Sequence, residues 1–238
     1  MSKADAVPDA VDTIIRVFSE CRLFEEGVRI IGSWCFHLYC KHLGAPTFPL
    51  RTVDIDFLIP YPYKGREKTE LARRLEESGF HHDFRSDGSI FFWNADLKIE
   101  FVVADKGRGL KNPVPLPKLG INAVPLRYLT MLTLRSITVV DGDLMIRLPH
   151  PTDFCLHKIL IASKRTKDDK MEKDLRQALA VFQILDMSDL QQAFNALPRP
   201  WKKKILRTLD TWPRMFPLLQ EEIRGLRLTL QSTNTNTM

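Results

Sequence analysis

This sequence has no apolar run long enough to cross a bilayer. The longest, such as Ser89–Trp93 and Ile99–Ala104, fall far short of the roughly 20 residues a spanning helix needs. The opening residues MSKADAVPDAVD lack the basic-then-apolar layout of a secretory signal. The four cysteines, Cys21, Cys35, Cys40 and Cys155, include no CxxC spacing, so a zinc site is not expected. Cys35 and Cys40 lie in an apolar segment and read as small buried hydrophobes. No internal repeat is present. These absences predict a reduced, cytoplasmic setting and no membrane partner.

What is there is ordinary for a globular chain. The 238 residues are 44% hydrophobic and 27% charged, enough for one large domain or two small ones. The net charge of +6 permits a nucleotide or nucleic-acid partner without requiring one.

Taken in order, Val11, Ile14, Ile15, Val17, Phe18 and Leu23 recur at helical spacing and predict an amphipathic helix over Asp9–Glu26. A short strand, Val28–Ile31, runs into a Gly32-Ser33 turn and an apolar helix over Trp34–Leu43. After a proline-bearing loop comes a strand at Arg51–Ile59. A surface helix is expected over Glu67–Ser78, then strands at His81–Arg85, Ile90–Trp93 and Asp96–Ala104. Asp105–Asn122, with Lys106, Arg108, Lys111 and Lys118, reads as an exposed basic loop. A hairpin follows about Asp141-Gly142-Asp143. Past Pro149–Pro151 the pattern turns helical. Thr152 is the expected cap of a helix reaching Lys164. Further helices are expected over Met171–Leu185, Met187–Leu197, Trp201–Trp212 and Met215–Leu230, then a frayed polar tail from Gln231. The expectation is an α+β domain over residues 1–150, a small mixed β-sheet with flanking helices, followed by a C-terminal helical bundle over 151–238.

Chemistry concentrates around Val53-Asp54-Ile55-Asp56-Phe57. A strand sends successive side chains to opposite faces, so Asp54 and Asp56 share one face and Val53, Ile55 and Phe57 the other. Paired carboxylates repel unless a cation lies between them, and Mg²⁺ prefers such oxygen ligands. The plain alternative is an exposed strand with two solvated acids. The Gly32-Ser33 turn opens a helix, whose free N–H groups attract phosphate; its plain alternative is an ordinary cap. The turn and the acids are separated by about the length of a strand–turn–helix–strand unit, which can bring them to one sheet edge. A third acid is available in DLKIEFVV, where Glu100 shares a face with Lys98 and Val102 and could lie opposite Asp54 and Asp56. Asp96 is the reserve ligand, and a solvated Glu100 the alternative.

Together, Gly-Ser, a helix, a DxD strand and a later strand acid resemble the nucleotidyltransferase fold of the DNA polymerase β-like superfamily. IIGSWCFHLY…RTVDIDFLI is similar to bacterial nucleotidyltransferase-like proteins related to abortive-infection toxins. HKILIASKRTKDDKMEKDLRQALAVFQIL resembles the Lys-rich helix and Lys-Asp-x-x-Gln-Ala helix of that group. The resemblance spans Val28 to Leu185. It implies that Gly32 and Ser33 hold the triphosphate of an NTP such as ATP, and that Asp54 and Asp56 bind Mg²⁺ or Mn²⁺. Glu100, where the family usually has Asp, would be the third carboxylate. Lys158 and Asp174 would face the nucleotide; their plain alternative is an exposed ion-pair face. The implied activity is transfer of NMP to a hydroxyl of RNA, protein or a small molecule. The alternatives are a catalytically inactive nucleotide- or nucleic-acid-binding module and a toxin with an antitoxin partner. His157 reads as a partly buried polar residue. Arg199, Trp201, Lys202, Lys203, Lys204 and Arg207 form a basic patch beside an aromatic, either a nucleic-acid contact or a solvated helix face.

Overall fold

Alternation of apolar and polar residues and helical periodicity produce two compact units in the computed structural model, which describes residues 3–231 other than Glu67, Lys106 and Arg108. Residues 1–38 and 48–149 form the first unit, and residues 39–47 and 150–238 the second. The polar tail expected after Gln231 lies outside the described residues, as do Lys106 and Arg108 of the expected basic loop. Among the described residues, no helix is long and apolar enough to cross a membrane, and none of the four cysteines is in a disulfide.

In the first unit, α1 (Lys3–Glu20) precedes β1 (Arg29–Ile31), which runs directly into α2 (Gly32–Leu43). The strand β2 (Asp54–Ile59) pairs antiparallel with β1 and parallel with β5 (Lys98–Ala104). Between them in sequence lie α3 (Leu71–Glu77), β3 (His81–Phe84) and β4 (Ile90–Trp93). The sheet order is β1-β2-β5-β4-β3. On the far edge of β5, β4 pairs antiparallel with its first residues, and β7 (Ile121–Leu126) parallel with its last. The strand β6 (Val114–Leu116) pairs antiparallel with β7. A short helix α4 (Met131–Leu134) leads to the hairpin of β8 (Ser136–Asp141) and β9 (Leu144–Pro149).

Two expectations change here. Asp105–Asn122 is not loop throughout, because Val114, Leu116 and Ile121 bury their side chains and carry β6 and the start of β7. Val53 does not join the apolar face of β2. The strand begins one residue later, and Val53 is 58% exposed while its carbonyl accepts from the Lys98 amide.

The core of this unit follows from period two. Ile55, Phe57, Ile99 and Phe101 lie on one sheet face and are fully buried. Phe18 of α1 stacks on Phe57 with ring centroids 3.7 Å apart. Phe92 meets Phe101 edge-on at 5.9 Å. The opposite face changes character along its length. It begins with Asp54, Asp56, Lys98 and Glu100 and ends with buried Leu58, Val102 and Ala104, which pack with Ile31, Leu129 and Leu132.

The second unit is built on α5 (Pro151–Ala162), in which every residue but Ile161 is buried. This helix is enclosed by α6 (Asp168–Phe182), α7 (Met187–Ala196) and α8 (Arg199–Met215). A 3₁₀ turn (Pro217–Leu219) and α9 (Gln220–Gln231) close the unit. Thr152 does not cap α5. His150 is the N-cap, Pro151 takes the first helical position, and the buried Thr152 hydroxyl donates to Asp189 at 2.5 Å. The capping side chain is found instead on α7, where Asp186 accepts from the Asp189 amide at 2.7 Å.

Replacing Phe57 by Ala removes the ring on which Phe18 stacks and leaves a cavity between α1 and the sheet. Thermal or denaturant unfolding should show a loss of about 3–5 kcal/mol; a loss under about 1 kcal/mol would contradict this packing.

Candidate functional site

The register of β2 against β5 sets Asp54 beside Lys98 and Asp56 beside Glu100. These four side chains share the polar end of one sheet face. The antiparallel partner β1 contributes from the other side, with Ile31 opposite Asp56, so the next residue, Gly32, opens α2 beside the carboxylates. Gly32 has φ +69°, and a Cβ built on it would lie 2.4 Å from Asp56 Oδ2. Only glycine adopts this backbone readily and also admits the carboxylate. Ser33 follows on α2 and is buried.

Glu100 is compensated by two cations. Arg85 Nη2 donates to its Oε1 at 2.5 Å, and Lys98 Nζ contacts the same oxygen. Both hydrogen bonds go to Oε1. Lys98 Nζ also lies 4.0 Å from Asp54 Oδ1. The Phe91 ring, whose residue pairs with Glu100 across β4 and β5, carries both cations on its surface: Lys98 Nζ at 5.1 Å and Arg85 Cζ at 5.6 Å from the ring centre. Lys98 is visible in the sequence as a neighbour of Glu100 on one strand face. Arg85 has no such signal, since it lies after β3 and reaches Glu100 through the fold.

A hard divalent ion asks for several oxygen ligands. Asp54 and Asp56 offer carboxylate oxygens on one face, which suits Mg²⁺ or Mn²⁺, and the missing Cβ of Gly32 admits the Asp56 carboxylate itself. Among the described residues, no three His, Cys, Asp or Glu side chains converge as they stand, Glu100 being drawn to Lys98 and Arg85. The two aspartates fit the ion, while Glu100, held by Lys98 and Arg85, does not converge with them. Asp96, the reserve ligand, lies before β5, in the turn where its amide donates to Asn94 Oδ1.

In the helical unit, Lys158 and Asp174 come together as a buried ion pair. Lys158 Nζ donates to Asp174 Oδ1 at 2.8 Å and Arg165 Nε to Oδ2 at 2.8 Å. Lys158 is 4% and Asp174 1% exposed, so the exposed ion-pair face expected of them is replaced by a buried one. Arg165 lies past the end of α5 and meets Lys158 at the shared carboxylate. Burial alone would raise the Asp174 pKa, but Lys158 and Arg165 outweigh it and hold the group below its ordinary value. Breaking such a pair from one side strands a buried charge, a cost of about 3–5 kcal/mol.

His157 is not partly but fully enclosed, and neither ring nitrogen has a hydrogen-bond partner. Burial, reinforced by the Lys158 charge, pushes its pKa down to about 3.

A family model described as nucleotidyltransferase matches residues 9–199. Among curated proteins, none matches the chain. Among solved structures, an antigenic nucleotidyltransferase-like protein from Paracoccidioides brasiliensis is 14% identical. That match covers 90% of this chain and 93% of the other, with a TM-score of 0.48. The antibiotic-resistance factor ANT(2'')-Ia is 13% identical over 94% of this chain and all of its own, with a TM-score of 0.43.

Two outcomes follow from this geometry. Gly32→Ala forces a Cβ against Asp56 and strains the backbone by about 1–2 kcal/mol, so melting should fall by a few degrees; an unchanged melting point would contradict the contact. His157 binds a proton near pH 6.5 when unfolded but only near 3 when folded. Between those values the unfolded state holds the extra proton, so stability falls as pH falls, by about 1.4 kcal/mol per pH unit. His157→Phe should flatten the stability–pH curve between about pH 6 and 4.5, read by denaturant titration. A slope equal to the wild type's would show that His157 is protonated in the fold.

Proposed function

We propose that this chain, which belongs to the nucleotidyltransferase family over residues 9–199, is a divalent-metal-dependent enzyme that moves NMP from an NTP to an acceptor hydroxyl. The observation carrying this reading is the in-register set of Asp54, Asp56 and Glu100 beside Gly32. Family membership supports nucleotidyl transfer in general. Asp54 and Asp56 would hold Mg²⁺ or Mn²⁺, with Glu100 as third carboxylate. The chemistry such an ion supplies is neutralisation of phosphate charge and activation of the α-phosphorus toward attack.

The chain's own groups account for the rest. The first-turn amides of α2 and the Ser33 hydroxyl bind phosphate oxygens at a helix N-terminus. Lys98 and Arg85 fix Glu100 through Oε1 and leave Oε2 to take the acceptor's proton. The acceptor oxygen bonds to the α-phosphorus, the α–β bridging bond breaks, and pyrophosphate leaves with the bonding electrons. Lys158 and Asp174 are proposed as nucleotide-facing, on the resemblance alone. The acceptor is a hydroxyl of RNA, protein or a small molecule.

A second reading, a nucleotide-binding module on the same fold without turnover, is favoured by one observation, the double engagement of Glu100 by Lys98 and Arg85. Incubation with each radiolabelled NTP, Mn²⁺ and cell extract separates the two. Transfer of label that Asp56→Ala abolishes supports the enzyme, whereas NTP binding without transfer supports the module. Mn²⁺ titration followed by electron paramagnetic resonance tests the site itself. Asp56→Asn should weaken Mn²⁺ binding at least tenfold. Lys98→Met, which removes a positive charge 4.0 Å from Asp54, should tighten it several-fold. Unchanged Mn²⁺ affinity in both variants would place the metal elsewhere.

A further inference from the structure

The formal charge of this chain is unevenly placed. Residues 39–47 and 150–238 carry sixteen Lys and Arg against ten Asp and Glu, and the rest carries nineteen of each. The whole surplus of six thus belongs to the helical unit. Its densest source is α8, with six basic residues and one acid, Asp210.

The faces of α8 are sharply divided. Ile205, Thr208, Leu209 and Trp212 are buried on one side. Arg199, Lys203, Arg207 and Arg214 are exposed on the other, spaced four, four and seven residues apart. That spacing forms one stripe about 22 Å long at 1.5 Å per residue. Asp210 falls on the same stripe but is taken by Arg227 of α9, with Nε to Oδ1 at 2.8 Å. No carboxylate among the described residues pairs with the four stripe cations.

This arrangement works against the stability of the helix. Arg199 and Lys202 lie in its first turn, where the helix dipole is positive and no acid is present. Lys204 is held against Lys164 from the end of α5, and burial together with that like charge lowers its pKa to about 8. Repulsion of this kind is relieved by an anion. The cations lie in a line rather than a cluster, which matches a chain of phosphates better than a single anion. Three of the four are Arg, whose planar fork suits phosphate oxygens. The stripe presents no large apolar side chain that could enter a bilayer.

We propose that the exposed face of α8 is a docking surface for the phosphodiester backbone of a nucleic acid. The contact is electrostatic and reads charge spacing rather than base sequence. It stands apart from nucleotidyl transfer, because it needs neither NTP nor metal ion.

The test is fluorescence anisotropy of the purified full chain with a labelled 20-nucleotide single-stranded RNA, without NTP or divalent metal, from 50 to 300 mM salt. Matched DNA and phosphatidylserine vesicles serve as comparison arms. Four phosphate contacts predict a slope of log K against log salt of about −3. The variant R199Q/K203Q/R207Q/R214Q should bind at least tenfold more weakly at 50 mM salt, with most of the slope lost, whereas K68Q/K111Q in the α+β unit should bind as the wild type does. Circular dichroism checks the fold. Should the quadruple variant fail to fold, R207Q/R214Q should lower the slope by about 1.4. Comparable binding of RNA and DNA supports backbone contact. The proposal is overturned if stripe variants that remain folded bind RNA as the wild type does, if the wild type binds neither nucleic acid at 50 mM salt, or if only the vesicles are bound.

Discussion

Parallel pairing of β2 with β5 is the constraint on which the site depends. It sets Asp56 beside Glu100 at the strand spacing of about 4.8 Å, where two carboxylates on one face repel. The same register places Phe57 beside Phe101 on the opposite face, against Phe18. A slip of one residue in β2 would bury Asp54 and Asp56 and expose Phe57. The aromatic packing therefore fixes the position of the acids, and electrostatic strain on one face is sustained by apolar burial on the other. Gly32 tightens the arrangement, since a side chain there would overlap Asp56.

The two units compensate their acids in different ways. Glu100 keeps 20% of its side-chain surface exposed, and its two cations remain about one-third exposed. Water can still reach these groups, so incoming ligands can exchange with them at modest cost. Asp174 is sealed, with Lys158 sealed beside it and only Arg165 reaching solvent. Separating that pair costs far more, because each charge would remain in a medium that solvates it poorly. The first arrangement suits a site that must rearrange around a ligand. The second holds α5 to α6 in a single geometry and keeps a fixed charge pattern next to the neutral imidazole of His157.

Legibility in the sequence followed the range of each interaction. Period two over Asp54–Phe57 and Lys98–Val103 reveals both faces of the central strands. The order of turn, helix and acidic strand reveals the unit that joins Gly32 to Asp56. The helical half is legible from its periodicity, although its ends shift by a few residues. Partners distant in sequence were not visible. Arg85 reaches Glu100 from fifteen residues away, and Thr152 abandons a cap to bond Asp189, thirty-seven residues on. Charge suggests exposure for Lys158 and Asp174, but they neutralise one another and so enter a core that neither could enter alone. Val53 failed in the opposite sense. Alternation assigned it to the core, but the sheet ends at Asp54 and gives it nothing to pack against.

Charge segregation also bears on how a ligand finds the protein. The α+β unit has equal numbers of acidic and basic residues, so it exerts little net attraction on a distant anion. Under the proposed function, its selectivity would arise from groups within a few ångströms, such as Asp54, Asp56, Lys98 and Gly32. The helical unit carries the surplus of six, and screening in physiological salt limits that field to about 8–10 Å. A small nucleotide would feel it only near the surface. A polyanion engages many such short-range fields at once and releases a counterion at each. Recognition by local chemistry and recognition by accumulated charge therefore make opposite demands on composition, and the composition of this chain is divided accordingly, the first unit neutral overall and the second carrying the whole positive surplus.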